Sequence, residues 1–431
     1  MSDFVPAATA SRRDFLKSST AAVVGGTLAT TLAPTAVHAG GDDVLKVALI
    51  GCGGRGNGAA VNAMNAEDNV RLTVLADAFP DQINNARRVL SEQLGPKFGV
   101  TDENCFTGFD AYKQAVATDV DVVLLCTPPH FRPAHLRAAI EAGKHVFCEK
   151  PVAVDAPGVR SVLETSRLAK EKGRSIVSGL CWRYDLGVRE TMKHIQDGAI
   201  GDIVAIQENY LTGTLWHRDR QPSWSEMEYQ LRNWLYYTWL SGDHIAEQHI
   251  HSLDKALWLA GDKLPARCFG LGGRQVRTEP KWGHIYDHFA VCYEWDNGLR
   301  CYSYTRQMSD CSTDVDDYVL GTKGQAVVLK HTVKSNDGKF DWRYRGPKPS
   351  MYDVEHKELF AGIRSGQLIN NGEYMSLSTL MAIMGREACY TGQTITGEQM
   401  LNSQVVLGPA KYEWGAAKMP DVAMPGVTPL A

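Results

Sequence analysis

The sequence predicts an α/β protein with two domains: an N-terminal doubly wound parallel sheet and a C-terminal α+β domain with a large, mostly antiparallel open sheet. The first is predicted because short apolar runs alternate with helical patterns, as in parallel strands joined by helices. The second is predicted because later apolar runs follow one another through short turns such as Asn297-Gly298, a hairpin signal. A chain of 431 residues is also long for one domain, so two hydrophobic cores are expected.

Four segments follow from the pattern along the chain. Residues 1–39 are expected to be an export signal, 44–178 the parallel-sheet domain, 179–403 the second domain and 404–431 a C-terminal tail. The tail contains prolines and glycines, and we expect it either to wrap a neighbouring subunit or to be loose.

The N-terminus has the features of a secretion signal. Arg12-Arg13 is followed by Phe-Leu-Lys at 15–17, by a mildly apolar run over 21–32, and by small residues up to Ala39. The pattern resembles a twin-arginine export signal cleaved after Ala39, which implies a protein exported folded to the periplasm or another extracytoplasmic space. The run is too short and too rich in small residues to span a membrane, so no membrane association beyond export is expected.

The overall composition excludes several classes of partner. Hydrophobic residues make up 44% of the chain and charged residues 22%, with a formal net charge of -4. This charge gives no electrostatic reason to expect nucleic acid or an anionic membrane as a partner. The ten cysteines show no C-x-x-C pair, and Cys126 and Cys148 end apolar runs, so buried free thiols are expected rather than a disulfide framework.

A glycine-rich turn follows the first apolar strand and precedes a helical pattern. Gly51, Gly53 and Gly56 fit G-x-G-x-x-G in the strand–turn–helix context of a Rossmann-type dinucleotide site. Gly51 permits the tight turn, Gly53 lets the backbone approach a pyrophosphate, and Gly56 lets the helix pack on the strand. Gly54 and Arg55 lie in the same turn and join the predicted cofactor-binding residues.

Asp77 ends the second strand, over 71–76, and is the predicted ribose contact. A carboxylate there accepts hydrogen bonds from the adenosine ribose hydroxyls and repels a 2′-phosphate. No arginine or lysine follows at 78–80, which favours NAD over NADP as the cofactor. The alternative is that Asp77 merely caps the next helix.

Two further strand ends are predicted to line the cofactor. Strand 121–126 runs into Thr127, Pro128 and His130, and strand 145–148 runs into Glu149 and Lys150. Ligands of parallel sheets bind off the carboxyl ends of the strands, so all five residues are expected on the cofactor rim.

The most polar stretch of the second domain is 241–254, which contains His244, Glu247 and His251. On a single helix these side chains sit at i, i+3 and i+7 and share one face. Such a face can bind a metal, perform acid–base chemistry or hydrogen-bond inside a core. It could supply three zinc ligands, but its order matches neither H-E-x-x-H nor H-x-x-E-H, and we expect no metal.

Several motifs together resemble the glucose–fructose oxidoreductase/inositol dehydrogenase/MocA (Gfo/Idh/MocA) family over residues 44–403. Besides the glycine motif, they are Ala-Gly-Lys-His-Val-Phe-Cys-Glu-Lys-Pro at 142–151, Trp182-Arg183-Tyr184, Gly-Ala-Ile-Gly at 198–201, and the H-x-x-D of His251 and Asp254. The resemblance implies hydride transfer between a sugar or polyol carbon and a nicotinamide cofactor, NAD(P), which we expect to be tightly bound.

The resemblance also implies roles for particular residues. Lys150 would hydrogen-bond the reacting oxygen, and His251 would be the general base that takes the hydroxyl proton. Glu247 stands where the family has an aspartate and is the third predicted catalytic residue. Trp182 and Arg183 are predicted on the cofactor side. The predicted substrate contacts are Tyr184, Asp243, His244 and Tyr286.

The departure at Glu247 leaves the net reaction open. A second reading is an NAD-dependent glycoside hydrolase, which oxidises a sugar transiently so that a leaving group can be eliminated. Export and the aromatic-rich loop over 216–239 suit a glycan substrate. In either case an exposed face of the C-terminal sheet predicts a homo-oligomer.

Overall fold

A computed structural model describes residues 43–430, and the predicted export signal lies outside the described residues. The first domain is a six-stranded parallel sheet of order β3-β2-β1-β4-β5-β6. Its elements, in chain order, are β1 (Leu45–Ile50), α1 (Gly54–Ala66), β2 (Val70–Asp77), α2 (Pro80–Leu94), β3 (Cys105–Thr107), α3 (Ala111–Ala117), β4 (Val122–Leu125), α4 (Arg132–Glu141), β5 (His145–Cys148), α5 (Ala156–Glu171) and β6 (Ile176–Ser178).

The central strands of this sheet are mostly apolar because both faces are covered. All four residues of β4 and all four of β5 are buried. Alternate side chains enter two separate hydrophobic clusters, one on each face of the sheet. The predicted doubly wound parallel sheet is therefore confirmed.

The second domain contains a nine-stranded sheet of order β14-β13-β12-β11-β7-β10-β9-β8-β15. Only β7 and β10 pair in parallel, which confirms the mostly antiparallel sheet. The elements are α6 (Leu186–Gln196), β7 (Ile203–Thr212), α7 (Glu226–Arg232), α8 (Thr238–Ser241), α9 (His244–Glu247), α10 (Ile250–Leu259), β8 (Arg267–Gly273), β9 (His288–Glu294), β10 (Arg300–Gln307), β11 (Asp314–Gly321), β12 (Gly324–Val327), β13 (Thr332–Ser335), β14 (Asp341–Arg343), α11 (Met351–Ser365), α12 (Gly372–Thr391), β15 (Ile395–Thr396) and α13 (Gly397–Asn402).

The two faces of the large sheet differ. One packs against α10 and α12, while the other leaves apolar side chains such as Phe269, Leu271 and Tyr304 exposed. The late helices also return to the first domain, since α11 packs on α1 and α12 packs on α5. No helix among residues 43–430 is both long and apolar enough to cross a membrane.

The prediction of one helix over 241–254 is wrong. Helix α9 ends at Glu247 and α10 begins at Ile250, with a break between them. The chain also turns sharply before α9, where Gly242 and Asp243 have φ of 79° and 69°. His244 and His251 therefore lie on different helices and do not share a face.

Candidate functional site

The glycine-rich turn has the shape that a pyrophosphate needs. Gly51 has φ of +100°, and a Cβ there would lie 2.6 Å from the backbone of Cys126 and Thr127. A Cβ on Gly56 would lie 1.8 Å from the carbonyl oxygen of Gly51, so the helix packs too closely for any other residue. A Cβ on Gly53 would meet nothing within 4 Å, which leaves that backbone open to a ligand. The turn thus fits a dinucleotide at the start of α1.

A cavity of about 380 Å³ opens beside this turn. Eight of the predicted cofactor residues line it: Gly51, Gly53, Gly54, Arg55, Gly56, Asp77, Thr127 and Pro128. The lining does not include the other five, namely His130, Glu149, Lys150, Trp182 and Arg183.

Asp77 connects the second strand to the glycine turn. Its carboxylate accepts hydrogen bonds from the backbone N–H groups of Cys52, at 2.7 Å, and Phe79, at 2.9 Å. Burial raises the pKa of Asp77 to about 6, although these bonds oppose the shift. The side chain also lines the cavity, where it is placed to meet a ribose hydroxyl.

The far wall of the cavity comes from the second domain, which sequence reasoning did not predict. Trp216, Arg218 and Trp234 line it together with Arg232. Arg232 forms a two-pronged ion pair with Asp81 of α2, at 2.9 and 3.0 Å. The aromatic-rich stretch was the available signal, but its partner surface lies more than a hundred residues away in the chain.

The C-terminal segment over 404–430, called here the strap, lies across the same rim. Trp414 packs with ring centroids 5.3 Å from Phe79 and 4.6 Å from Phe109, two residues that line the cavity. Tyr412 has its hydroxyl 2.7 Å from Nε2 of His130. The expectation that this segment is loose is wrong, because its aromatic residues pack on their own chain. Contact with a neighbouring subunit stays a prediction.

The predicted catalytic residues meet at the seam between the two sheets. Lys150 follows β5, and its ammonium group donates to the Glu247 carboxylate of α9 at 2.8 Å and to the Glu247 main-chain oxygen. The side chains of Lys150 and Glu247 are only 13% and 10% exposed, so the pair is largely shielded from water. Its cation therefore has a fixed position.

His251 lies in the first turn of α10, close enough to Lys150 for the lysine's charge to affect the pKa of the imidazole. Burial first, and then the charges of Lys150, Lys255 and Arg55, lower the pKa of His251 well below its usual value. The imidazole is thus neutral at physiological pH. Its Nδ1 and the Oε2 of Glu247 are buried without a hydrogen-bond partner among residues 43–430. A neutral base and a fixed cation can together bind and deprotonate a hydroxyl group.

The side chain of Arg183 binds a carboxylate of α10 and does not line the cavity. Its guanidinium binds both carboxylate oxygens of Asp254 at 2.9 to 3.0 Å and stacks 3.8 Å from the ring centroid of Tyr374. Trp182 lies near Lys255, with its ring centroid 5.2 Å from the ammonium. The H-x-x-D aspartate therefore positions the helix that carries His251, and cofactor contacts by Trp182 and Arg183 stay a prediction.

Glu149 and Arg55 support the site from the cofactor side. The Nε of Arg55 donates to Glu149, and a second nitrogen lies 3.3 Å from Glu355 of α11. Glu149 in turn accepts from the backbone N–H of Lys150 at 3.1 Å. Through these bonds α1, which starts at the glycine turn, is linked to the backbone of Lys150, the predicted catalytic lysine.

Three of the predicted substrate residues form an interior network. Asp243 is completely buried, and its carboxylate accepts from the backbone of Tyr286 at 2.9 Å and from the hydroxyl of Tyr390. Nδ1 of His244 lies 3.0 Å from the same carboxylate. The hydroxyl of Tyr286 donates to Ala423 of the strap at 2.8 Å. These positions argue against direct contact with a substrate.

Tyr184, the fourth predicted substrate residue, is 3% exposed and donates to Asn371 at 2.6 Å. A residue that sequence reasoning missed is better placed. Tyr210 on β7 is half-buried, and burial together with the charge of Glu247 raises its pKa to about 12. It is therefore close enough to the predicted catalytic residue Glu247 to be a candidate substrate contact.

The histidines and carboxylates of this region do not assemble as a metal centre. Among residues 43–430, no group of three or more His, Cys, Asp or Glu side chains is arranged to hold a metal ion. His244 points its Nδ1 at Asp243, while Glu247 is engaged by Lys150.

A dinucleotide-binding sheet beside a lysine and a neutral histidine at a domain seam defines a nucleotide-dependent oxidoreductase. Residues 45–180 match the family described as "Oxidoreductase family, NAD-binding Rossmann fold", and residues 188–327 match the "GFO/IDH/MocA C-terminal domain". The chain therefore belongs to the Gfo/Idh/MocA family of NAD(P)-dependent oxidoreductases.

Individual relatives agree with this assignment. The chain is 29% identical over 318 residues to inositol 2-dehydrogenase of Rhizobium meliloti, covering 74% of this chain and 86% of the relative. It is 26% identical over 361 residues to inositol 2-dehydrogenase of Burkholderia cenocepacia, covering 81% and 94%. A levoglucosan dehydrogenase solved with NADH and levoglucosan shares the fold, with a TM-score of 0.65 at 19% identity over 83% of this chain and 100% of that one.

Proposed function

We propose that this protein oxidises a CH–OH group of a sugar or polyol with NAD as the hydride acceptor. The observation that carries the proposal is the ammonium of Lys150, fixed by Glu247 at the seam, whose charge acts on the neutral imidazole of His251. The inositol 2-dehydrogenases among the relatives support a carbohydrate or polyol as the substrate class.

The chain's own residues divide the work on the substrate. Lys150 donates a hydrogen bond to the substrate hydroxyl oxygen and stabilises the negative charge that develops on it. His251 accepts the hydroxyl proton, so the carbon–oxygen double bond can form as the carbon loses its hydride. When bound, the nicotinamide ring supplies the acceptor for that hydride. Glu247 holds Lys150 with one oxygen and keeps the other free for the substrate.

The test is a substrate screen with the protein loaded with NAD. We expect inositols or aldoses to reduce the cofactor, measured by near-ultraviolet absorbance of reduced nicotinamide. Aryl glycosides are included to test the redox-assisted glycosidase, the alternative that the relatives do not favour. Release of phenol with no substrate giving net reduction would contradict the proposal.

We assign NAD rather than NADP on the position of Asp77, a carboxylate on the cavity wall. Asp77→Ala is expected to weaken NAD binding roughly tenfold or more and NADP binding much less, since one charge-assisted hydrogen bond is lost. Binding constants for both cofactors check this, with the exposed Asp68→Ala as the control. An unchanged preference would remove Asp77 from the cofactor site.

In this proposal the bound NAD does not exchange freely with NAD in solution. The cavity wall contributed by Phe79 and Phe109 is covered from outside by Trp414 of the strap. Arg232 and Asp81 tie the wall from the second domain to α2. Both contacts would have to open for a bound dinucleotide to leave.

The proposal also includes export of the protein and its assembly as a homo-oligomer. The twin-arginine pattern at Arg12-Arg13 supports export of the folded protein, with its cofactor loaded beforehand, to an extracytoplasmic space. The exposed apolar side chains Phe269, Leu271 and Leu320 on the open face of the sheet support a homo-oligomer formed through that face.

A further inference from the structure

A buried ionic cluster lies beneath the helix that carries His251. Glu208 on β7 and Asp317 on β11 stand directly opposite each other in the antiparallel pair. Lys255, one turn after His251 on α10, has its ammonium 3.0 Å from the Asp317 carboxylate. Lys255 is 1% exposed and both carboxylates are 0% exposed, so the cluster is shielded from water.

The cluster contains one cation and two acidic side chains, and burial favours the protonated form of the acids. Burial raises the pKa of Glu208 well above its usual value, and it raises that of Asp317 as well. The ammonium of Lys255 lies 3.0 Å from the Asp317 carboxylate, and the oxygens of both Glu208 and Asp317 are buried without a hydrogen-bond partner among residues 43–430. Lys255 and Asp317 therefore form the ion pair, and burial favours the protonated form of Glu208.

Lys255 connects this cluster to the catalytic base. Its ammonium donates to the main-chain oxygen of His251 at 3.0 Å. This bond fixes the first turn of α10, to which His251 belongs. The same positive charge lies within one helical turn of the ring and disfavours a second positive charge there.

We propose that Lys255, held by Asp317, is a positioning residue that fixes the turn bearing His251 and places a positive charge beside this base. The inference deepens the proposed function, because it rests on His251 being the base.

Two other cations act on His251 besides Lys255, and the nearby carboxylates are paired with other side chains. Lys150, after β5, and Arg55, on α1, also lower the pKa of His251, after the larger effect of burial. Other charged side chains of the neighbouring elements are already paired: Glu247 with Lys150, Asp254 with Arg183, and Arg386 with Glu387. Removing Lys255 therefore takes away one of three cations that act on the imidazole.

The test is the double substitution Lys255→Met with Asp317→Asn, which removes the ion pair without leaving a lone buried charge. The titration of the His251 ring is followed by NMR and assigned by its absence in His251→Asn. We expect its midpoint to rise by roughly half a pH unit, because the cation that is lost acts on the imidazole directly while the carboxylate lost with it, which opposes the effect, lies further away. Lys255→Arg, which keeps the charge, is expected to restore the wild-type midpoint. Lys193→Met, an exposed lysine on α6, is the control.

A double variant that stays folded and whose His251 midpoint does not rise above that of the wild type would overturn the proposal. So would a Lys255→Arg protein that behaves like the double variant. The titration needs no substrate, so it can be measured even if the protein does not catalyse the proposed reaction. Where substrate is turned over, the acid limb of kcat/KM should move with the same midpoint.

Discussion

Replacing Lys150 with methionine is expected to lower kcat by roughly a thousandfold while NAD remains bound. The side chain is a cation held at the seam by a carboxylate, with Glu247 2.8 Å from its ammonium. Without it, the negative charge that develops on the substrate oxygen has no charged donor. Steady-state kinetics and cofactor content of the purified protein check both parts.

This substitution leaves Glu247 without its partner, so a second variant separates chemistry from folding. Lys150→Met combined with Glu247→Gln removes both charges and is expected to be as inactive as the single variant but better folded. Lys170→Met, an exposed lysine on α5, is the control and should turn over normally. A Lys150→Met protein that binds NAD poorly, but reacts at the wild-type rate once saturated, would contradict the catalytic assignment.

Removing the aromatic residues of the strap is expected to release the cofactor. Tyr412→Ala with Trp414→Ala takes away the rings that pack on Phe79, Phe109 and Phe131. Two aromatic contacts of about 1.5 kcal/mol each would weaken NAD binding roughly a hundredfold. The cofactor remaining after gel filtration measures this directly, and kcat at saturating NAD should change only a few-fold.

The control for the strap is Val406→Ala, since Val406 belongs to the same segment but is 68% exposed. It should retain the cofactor as the wild type does. A double variant that keeps its NAD through gel filtration would show that the strap covers the rim without holding the ligand.

The parallel sheet was predictable because its central strands are short, largely apolar runs. The predicted strand at 145–148 coincides with β5 (His145–Cys148), since the charged residues on either side mark its ends. Strands β3 (Cys105–Thr107) and β15 (Ile395–Thr396) were missed because two or three residues carry no periodic signal. They exist through pairing with β2 and β8.

The site was predictable in its residue types but not in its connections. The H-x-x-D motif indicated His251 and Asp254, but the bond from Asp254 to Arg183 joins residues that are 71 positions apart. The single-helix interpretation of 241–254 failed because the positive φ of Asp243 and the break after Glu247 depend on burial in an interior network. Likewise, the packing of Trp414 on Phe79 has no local signal in the sequence.

Deuterium transfer tests the central claim most directly. Protein loaded with NAD is mixed with an inositol or aldose deuterated at its carbinol carbons, and the nicotinamide is analysed by mass spectrometry after a single turnover. The account predicts deuterium on the reduced nicotinamide in the wild type and almost none in Lys150→Met over the same time. Turnover of the sugar without any deuterium on the cofactor would contradict it.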